Sequence, residues 1–519
     1  MKIAKIIYNL FLGALSAMKL NPSDYCDIET TDDYSTLVLK DRSMMTFVRY
    51  DGLLSTIDDQ IFMQMVDHID KQLTGLMSEN GYKIGCIFRR DLEANSQLQK
   101  VRLLKKQTAK TLDLSMDDLI DEDINLYSNS VYGEEIYFCL ITEPRVLEDI
   151  DLQVENEQRS KQVGPLMRDC QNLLMPVEVL RARHISFVEQ FVAAFSVESF
   201  YTKLEVISVL DAISFIRHQV APDRTSDNWL PSIPLGTANA EYLGIPNYHT
   251  PVRWSHTADP DDISYILPPP IPRQIMTSSI NVYGVKEGLP KNTISVGGRL
   301  YTAFVMDIPP NQPIIFNGLF GSFNQSYSES ASEEADGNRR SMPYSVCYMI
   351  SSDGMAGTSI KQMLTMFLAK VPKDTNMNVK AAFEQLNFLK RSKNEAIVGM
   401  QVSAMTWVED TEIGRKELRT LKTRLATTLS SWGGMTVVEN IGDPVMLFQN
   451  NILGLSKNHQ GTKAVVPLAR AIELLPLTRP ASAFPNGTVL HRTLDNKLMP
   501  LEKFSSNMSA WVTVYAGRQ

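Results

Sequence analysis

Residues 397–439 read IVGMQVSAMTWVEDTEIGRKELRTLKTRLATTLSSWGGMTVVE and carry the clearest structural pattern of the chain. The first part alternates, which predicts a strand with one well-buried face. That face consists of Val398, Met400, Val402, Ala404 and Thr406. Next come leucines at helical spacing: Leu418, Leu421, Leu425 and Leu429. The glycines at 433 and 434 end the predicted helix before a second β-rich run. Strand, helix and strand in this order predict an α+β sandwich of the ferredoxin-like type.

Upstream of this stretch, predicted strands and helices keep alternating. The periodicity predicts strands within 34–50, 82–88, 136–141 and 343–350, and helices over 57–76 and 92–112. Two further apolar runs, 197–216 upstream and 464–475 downstream of this stretch, are predicted to be helices. Residues 321–341 are rich in Ser, Glu, Asn and Gly, which predicts a flexible loop.

The fold class predicted from these patterns is α+β, with mixed sheets and packed helices in several segments. Many prolines interrupt residues 221–275, and proline fixes φ and removes a backbone donor, so this part is predicted to be an extended linker or arm. The predicted boundaries are 1–20 for an N-terminal amphipathic helix, 21–220 for an α+β domain, 221–275 for the arm, 276–475 for a second α+β domain, and 476–519 for a hairpin and a final strand.

Composition and charge exclude several classes of protein. The formal net charge of −8 argues against a broad nucleic-acid-binding surface. The five cysteines are widely spaced and form no C-x-x-C pair, which indicates reduced thiols in a cytosolic compartment. The spacing of His, Cys, Asp and Glu resembles no metal site, so no metal is predicted.

The first 20 residues, MKIAKIIYNLFLGALSAMKL, form a basic amphipathic segment. Its apolar run is shorter than the roughly 20 residues that span a bilayer. Lysines on one side and apolar side chains on the other predict a helix that lies on an anionic membrane surface or binds a partner. The candidate contact residues are Lys2, Lys5, Ile6, Ile7, Leu10 and Phe11. Two alternatives stay open: a helix that docks on its own domain, and a secretory signal, which the cysteine usage opposes.

An acidic stretch, residues 113–123, follows the basic helix predicted over 92–112. Such charge runs are most often solvated faces of a protein. The other interpretation is an electrostatic docking surface for a basic partner. The candidate residues of that surface are Asp117, Asp118, Asp121, Glu122 and Asp123.

The C-terminal part has a distinctive order of segments. LPLTRPASAFPNGTVLHRTLDNKLMP (475–500) contains an R-P-A-S motif and a hairpin with an R-T-x-D-x-K turn, and it precedes AWVTVYAGRQ (510–519). The motif residues are Arg479, Pro480, Ala481, Ser482, Arg492, Thr493, Asp495 and Lys497. The final strand runs into Gly517, as a strand does before the phosphate-binding loop G-x-x-x-x-G-K-S/T.

This order resembles the type IV secretion and conjugation ATPases of the VirB/TraC kind, the fourth component of the VirB set. Within that family it looks closest to the Dot/Icm branch (DotO/IcmB-like) or its I-type plasmid counterpart (TraU-like). There, an α+β N-terminal region precedes a RecA-like motor. The resemblance therefore implies that 476–519 ends on the first strand of a truncated P-loop domain, with Gly517 as the first, nucleotide-binding glycine of an incomplete loop.

The resemblance implies assembly rather than catalysis for these residues. The P-loop lysine and the Walker B carboxylate are missing, so no catalytic residue is predicted and the chain alone is expected to be inactive. ATP and Mg²⁺ are expected for the parent protein, with no cofactor in this segment. The implied partners are inner-membrane secretion components, companion ATPases and further copies in a hexamer or hexamer of dimers. The implied location is the cytoplasmic face of the bacterial inner membrane, without direct nucleic-acid binding by this segment.

Two other functions stay open on the residues themselves. One is a soluble scaffold, and the other is an independent enzyme unrelated to secretion. The sequence contains no G-x-S-x-G, H-E-x-x-H or G-x-G-x-x-G motif, so it names no active site for such an enzyme.

Overall fold

The computed structural model describes residues 21–91, 95–128, 132–162, 178–197, 200–226, 229–233, 252–254, 264–266, 269–310, 314–330, 342–354, 395–439, 443–482, 489–493 and 497–501. Within these ranges the strands are β1 (Ile28–Thr31), β2 (Thr36–Leu39), β3 (Met44–Leu53), β4 (Tyr82–Asp91), β5 (Gly133–Thr142), β6 (Thr202–Val206), β7 (Val252–Trp254), β8 (Ser264–Ile266), β9 (Asn281–Tyr283), β10 (Thr293–Val296), β11 (Arg299–Ile308), β12 (Tyr344–Ser351), β13 (Ile397–Glu409), β14 (Thr436–Val438), β15 (Ala464–Pro467), β16 (Val489–Arg492) and β17 (Leu498–Leu501).

The same ranges contain the α-helices α1 (Asp59–Met77), α2 (Asn95–Thr111), α3 (Asp117–Ser128), α4 (Asp149–Gln162), α5 (Glu178–Phe195), α6 (Val209–Val220), α7 (Ile271–Ile275), α8 (Phe316–Ser330), α9 (Glu412–Ser431), α10 (Pro444–Gln449) and α11 (Leu468–Glu473). Thirteen strands form one antiparallel sheet in the order β1-β2-β3-β5-β4-β12-β13-β11-β10-β9, with β6 beside β3, β14 beside β11 and β15 beside β13. The predicted α+β class is therefore confirmed.

The sheet consists of two units with the same topology. The first unit is β3-α1-β4-β5-α5-β6, with the strand order β6-β3-β5-β4. The second is β11-α8-β12-β13-α9-β14, with the strand order β14-β11-β13-β12. This βαββαβ arrangement is the ferredoxin-like one that residues 397–439 predict for the second unit. The sequence patterns had not indicated that the first unit repeats it.

The two units meet through one strand from each. Eight residue pairs join β4 to β12, from Lys83 opposite Ser351 to Arg90 opposite Tyr344. The predicted segments 21–220 and 276–475 each contain one unit, and this junction makes their strands continuous. The order of strands is palindromic about the junction, so the second unit lies beside the first as a partner would in a dimer.

Helices cover both faces of the sheet. One apolar core lies between the sheet and α1, α5, α8, α9 and α11, and the other lies under α6, α7 and α10. In β13, Val398 and Met400 join the first core, while Met405 and Trp407 join the second. The sequence predicted one buried face for this strand, but both faces are buried. The second face is covered by a layer of helices that comes from residues far away in the chain.

Three local predictions are wrong, each for a physical reason. The apolar run over 197–216 is β6 followed by α6, because Ser208 accepts a hydrogen bond from the Asp211 N–H and starts a new helix there. The run over 464–475 is likewise β15 followed by α11. Residues 321–330 of the loop predicted over 321–341 belong to α8, whose apolar side chains at helical spacing are buried: Phe316, Leu319, Phe320 and Phe323. The rest of that predicted loop, 331–341, lies outside the described residues.

The described parts of the proline-rich arm contribute to the core. Ile271 and Ile275 of α7 are fully buried in the second apolar core. The Gln274 side chain accepts a hydrogen bond from the Ser232 N–H (2.8 Å) and donates one to the Pro269 carbonyl (2.7 Å). Apolar burial and satisfied backbone groups therefore fix this part of the arm on its domain.

Candidate functional site

The R-P-A-S segment lies along the end of β3. The Leu53 N–H donates to the Arg479 carbonyl (2.8 Å), and the Ala481 N–H donates to the Leu53 carbonyl (2.7 Å). The hydroxyl of Tyr50, which is buried, donates to the Leu477 carbonyl at 2.5 Å. These three bonds satisfy backbone groups on both sides and hold the segment at the edge of the first unit.

Gly52 allows this close approach. Its φ is 114°, a conformation that side chains with a Cβ rarely adopt. A Cβ built on Gly52 would lie 2.2 Å from the Arg479 carbonyl oxygen. The glycine therefore leaves the space that the segment occupies, and it sits beside an irregularity in the pairing of β3 with β6.

The side chain of Arg479 forms a buried ion pair with Glu134 at the start of β5. Its Nη2 lies 2.8 and 3.0 Å from the two carboxylate oxygens, and its Nε lies 3.2 Å from Oε2. The exposed fractions are 7% for the Arg479 side chain and 1% for that of Glu134. The guanidinium carbon is also 3.7 Å from the ring centroid of Phe320. Several short bonds from one guanidinium to one carboxylate give the pair a defined geometry as well as attraction.

The same carboxylate attracts the hairpin of β16 and β17. The Lys497 Nζ is 3.6 Å from Glu134 Oε2, and it donates to the Pro480 carbonyl at 2.5 Å. A backbone bridge also pairs Lys497 with Tyr132. Arg479 and Lys497, which the sequence places 18 positions apart, thus meet at Glu134, and Lys497 also binds the backbone of Pro480.

A third cation completes this cluster. Arg90 of β4 lies opposite Glu134 in the register of β4 and β5. Its guanidinium carbon is 4.4 Å from the ring centroid of Tyr132 and 5.1 Å from that of Phe320. We call Arg90, Glu134, Arg479 and Lys497 the Glu134 cluster. Guanidinium groups keep their charge at any physiological pH, so the cluster is a permanent electrostatic attachment for two segments.

Hydroxyl and thiol groups on and beside the strands that carry the Glu134 cluster are buried and stay protonated. The nearest hydroxyl on β12 belongs to Tyr344, and burial raises its pKa, so this group stays protonated. Burial also raises the pKa of the thiols of Cys86 and Cys139, which keeps them unreactive. Among the residues that the structure describes, no group of three His, Cys, Asp or Glu side chains is placed to hold a metal ion.

A cleft of about 1110 Å³ opens beside the Glu134 cluster. Charged side chains dominate its walls and pair with one another. Arg49 lies 3.1 Å from Asp51 and 2.7 Å from Glu205, and Arg89 lies 2.6 Å from Asp91. Burial alone would lower the pKa of the Arg89 guanidinium, but the negative charge of its carboxylate neighbours outweighs this and raises that pKa. The cleft therefore offers charged and hydrogen-bonding groups to a polar partner.

A second buried ion-pair network lies at the other end of β4. Lys83 Nζ is 2.9 Å from Glu143 Oε1, and Lys457 Nζ is 3.1 Å from the same oxygen. Burial lowers the pKa of Lys83. A lysine of this kind is a candidate nucleophile, but its Nζ also donates to the Lys457 carbonyl and to Asn458, each at 3.1 Å. Three acceptors therefore occupy its three donors, and Lys83 fixes the loop at 457–458 to the sheet.

The remaining sequence predictions divide into two groups. Residues outside the described ranges are Lys2, Lys5, Ile6, Ile7, Leu10, Phe11, Asp495 and Gly517. The predicted acidic surface lies on α3, where Asp121 pairs with Arg102 (2.7 Å) and Asp123 with Lys105 (2.5 Å). Asp117, Asp118 and Glu122 are exposed on the same helix. The idea that α3 docks a basic partner stays a prediction, with two of its five carboxylates engaged by α2.

Sequence reasoning missed the residue at the centre of the site. Glu134 belongs to the pair Glu134–Glu135 in front of an apolar strand, which is an ordinary pattern for a solvated strand end. Arg90 and Gly52 carried no signal either. Arg479 and Lys497 were found because they belong to the motif, and Arg492 lies in β16.

Comparison of the chain with protein-family models and with curated proteins found no match. None of the helices in the described part of the chain has the length and apolar character that crossing a bilayer requires. The functional conclusion therefore depends on the residues and contacts described above.

Replacing Gly52 by alanine is expected to loosen the R-P-A-S segment. The added Cβ meets a backbone oxygen at a positive φ, so we expect the free energy of unfolding to fall by ~1–3 kcal/mol. Amide exchange of Leu53 and Ala481 should accelerate more than exchange elsewhere. Gly75→Ala in α1 is the matched control, because its Cβ meets no atom within 4 Å and should stabilise the helix slightly. A G52A protein with unchanged stability and exchange would contradict this attachment.

Proposed function

We propose that this chain is the N-terminal assembly and docking region of a type IV secretion ATPase. In this role it holds a hexameric motor at the inner-membrane complex while ATP turnover moves protein, or conjugative DNA, through the secretion channel. The observation that carries the proposal is the convergence of Arg479 and Lys497 on the buried carboxylate of Glu134, with Lys497 also bonded to the Pro480 carbonyl. These motif residues are the ones through which the sequence resembles that family.

The contacts support an attachment role for the motif. A buried pair such as Arg479–Glu134 is costly to break, because separation leaves a charge without compensation in the interior. These contacts attach the R-P-A-S segment, which leads towards residue 501, to strands β3 and β5 rather than to a loop. An attachment of this kind suits a region that passes force or position from a following motor domain to the sheet.

The proposal also assigns the partners. Inner-membrane secretion components and companion ATPases would contact this region, and further copies would complete the ring. ATP and Mg²⁺ would bind in the parent protein, at the phosphate-binding loop of which Gly517 is the first glycine. The cleft beside the Glu134 cluster, with its paired charges, is a surface on which a polar protein partner fits.

The test is affinity purification of the tagged chain from its bacterial host after cross-linking, with the membrane fraction included. We expect inner-membrane secretion components and a companion ATPase to be enriched over an untagged control. The purified chain should show no ATP turnover. The gene, read beyond codon 519, should continue with two codons followed by G-K-S/T, which would complete the loop that begins at Gly517. Recovery of no secretion component, together with a gene that lacks this motif, would overturn the proposal.

A further inference from the structure

Helices α2 and α3 form a helical hairpin inserted between β4 and β5. Its base packs on the motif hairpin, because Leu98, Val101 and Ile124 form a small buried cluster with Leu498 of β17. Between the helices, Lys106 Nζ lies 2.9 Å from Asp121, and this contact adds to the two ion pairs described above. The helical hairpin is therefore a defined structure rather than a loose insertion.

The turn of this helical hairpin exposes an unusual number of apolar side chains. Four large apolar residues lie within eight positions. Their exposed fractions are 63% for Leu112, 49% for Leu114, 39% for Met116 and 57% for Leu119. We call residues 112–119 the hairpin tip. Single exposed leucines are normal, but a contiguous exposed apolar group marks an interaction site.

Acidic side chains surround the hairpin tip. Asp113, Asp117 and Asp118 lie within it, and Glu122 follows one turn later; all four are exposed. Lys110, in the last turn of α2, is an exposed cation just before the tip, while Lys105 and Lys106 lie further down the helix and are engaged by Asp123 and Asp121, so the charge around the tip is net negative. The tip therefore presents apolar groups with a negative rim. An anionic membrane would repel this rim, so the tip fits a basic amphipathic protein segment better than a lipid surface.

The chain itself contains a segment of that chemistry. Residues 1–20 include three lysines and no Asp or Glu, and apolar residues recur at helical spacing on one side: Ile3, Ile6, Ile7 and Leu10. The described chain begins elsewhere in the fold, where the Tyr25 hydroxyl donates to Asp443 and the Gln449 side chain donates to the Tyr25 carbonyl. That site is on the α10 side, whereas the helical hairpin packs on β17.

We propose that the hairpin tip binds residues 1–20 of a second copy of this chain. This inference rests on the proposed function, which requires neighbouring copies in a ring, and it names the contact between them. Apolar side chains of the segment cover Leu112, Leu114 and Leu119, while Lys2 and Lys5 meet the acidic rim. Each copy receives a segment and gives one, which is a head-to-tail contact, the type of interface from which closed rings can be built.

The test is disulfide cross-linking between two full-length copies that carry different tags. One copy carries Leu114→Cys and the other Ile6→Cys; both are mixed at low salt and oxidised. We expect a cross-linked pair with both tags. Ile150→Cys on α4 is the matched control, because Ile150 is 72% exposed and lies outside the tip, and it should give at least about tenfold less product. Raising the salt from about 0.05 M to about 0.5 M should reduce the product, because salt screens the charged rim.

A charge variant separates the possible outcomes. Asp113→Asn, Asp117→Asn and Asp118→Asn together should reduce the cross-link as high salt does; asparagine tolerates the positive φ of residue 113 and adds no positive charge to the first turn of α3, so the fold should be kept. Cross-linking only within one copy would overturn the inference, as would binding of the tip to anionic vesicles that Leu112→Ser and Leu114→Ser abolish. Absence of the cross-link in a chain that still forms oligomers and recovers secretion components would refute the tip contact and leave the proposed function standing. A chain that recovers no such component and stays monomeric would refute both.

Discussion

Replacing Glu134 by alanine is expected to lower the free energy of unfolding by ~3–5 kcal/mol. The substitution removes the carboxylate that Arg479 and Lys497 contact, and it leaves the Arg479 guanidinium buried without its partner. Urea denaturation followed by circular dichroism measures the effect, provided that the dependence on urea concentration is the same for both proteins. The motif segment should also become more sensitive to protease, because its side-chain attachment is lost.

Two further variants separate this ion pair from its surroundings. Arg479→Ala alone should also be strongly destabilising, but the double variant E134A/R479A should cost at least ~1 kcal/mol less than the sum of the single substitutions, because each single substitution already breaks the Arg479–Glu134 pair. Glu205→Ala is the matched control, because Glu205 is 64% exposed in its pair with Arg49 and should cost less than ~1 kcal/mol. Equal effects of E134A and E205A would show that the Glu134 cluster does not hold the segment.

Acidification from pH 7 to pH 5 is expected to lower the free energy of unfolding by ~2–4 kcal/mol. His184 is fully buried between the Thr46 hydroxyl, 2.9 Å from Nε2, and the Thr142 hydroxyl, 2.8 Å from Nδ1. Burial lowers the pKa of His184 to about 4 and that of His459 to about 3. In the unfolded chain both imidazoles titrate near 6.5. The stabilisation that both histidines contribute is therefore complete above pH 6.5. It is lost as the pH falls from 6.5 towards the pKa values of the folded protein.

One carboxyl group opposes this trend. Burial and the charge of Glu395 raise the pKa of Asp70 to about 6, so folded Asp70 binds a proton before the unfolded residue does and offsets part of the loss. Urea titrations at pH 5, 6 and 7 measure the net change. His184→Gln should lower stability at pH 7 but reduce the net change between pH 7 and pH 5 by more than one half, because one of the two imidazoles no longer titrates while Asp70 still does. Stability that is constant across this range would contradict burial of both neutral histidines.

Local patterns predicted individual elements well where one periodicity runs uninterrupted. Leu418, Leu421, Leu425 and Leu429 bury one face of α9, as their spacing predicts, and Gly433 adopts a positive φ just after the helix ends. The failures lie where two elements share one apolar run. Residues 197–216 contain β6 and the first part of α6, and hydrophobic periodicity alone does not mark the boundary between them at Ser208. The Ser208 hydroxyl, which caps α6, sets this boundary only when β6 and α6 are both packed in the folded protein.

Only half of the candidate site could be predicted from the sequence. Arg479 and Lys497 stand in a recognisable motif, but the carboxylate that binds them lies 345 positions before Arg479. Glu134 is one of two adjacent glutamates at the start of β5, and only the register of β4 and β5 decides that it faces Arg90. No periodicity encodes such a contact, because it arises from the pairing of strands that are distant in the chain.

The sequence by itself determined the class of the fold, the helix and strand of residues 397–439, and the hairpin after Arg479, because side-chain periodicity and turn residues act within a few positions. Only the tertiary structure decided that two βαββαβ units share one sheet through β4 and β12, that both faces of β13 are buried, and that the motif is attached at Glu134. These features depend on which surfaces meet after the elements have formed. Burial and charge pairing between distant segments, rather than local preference, set them.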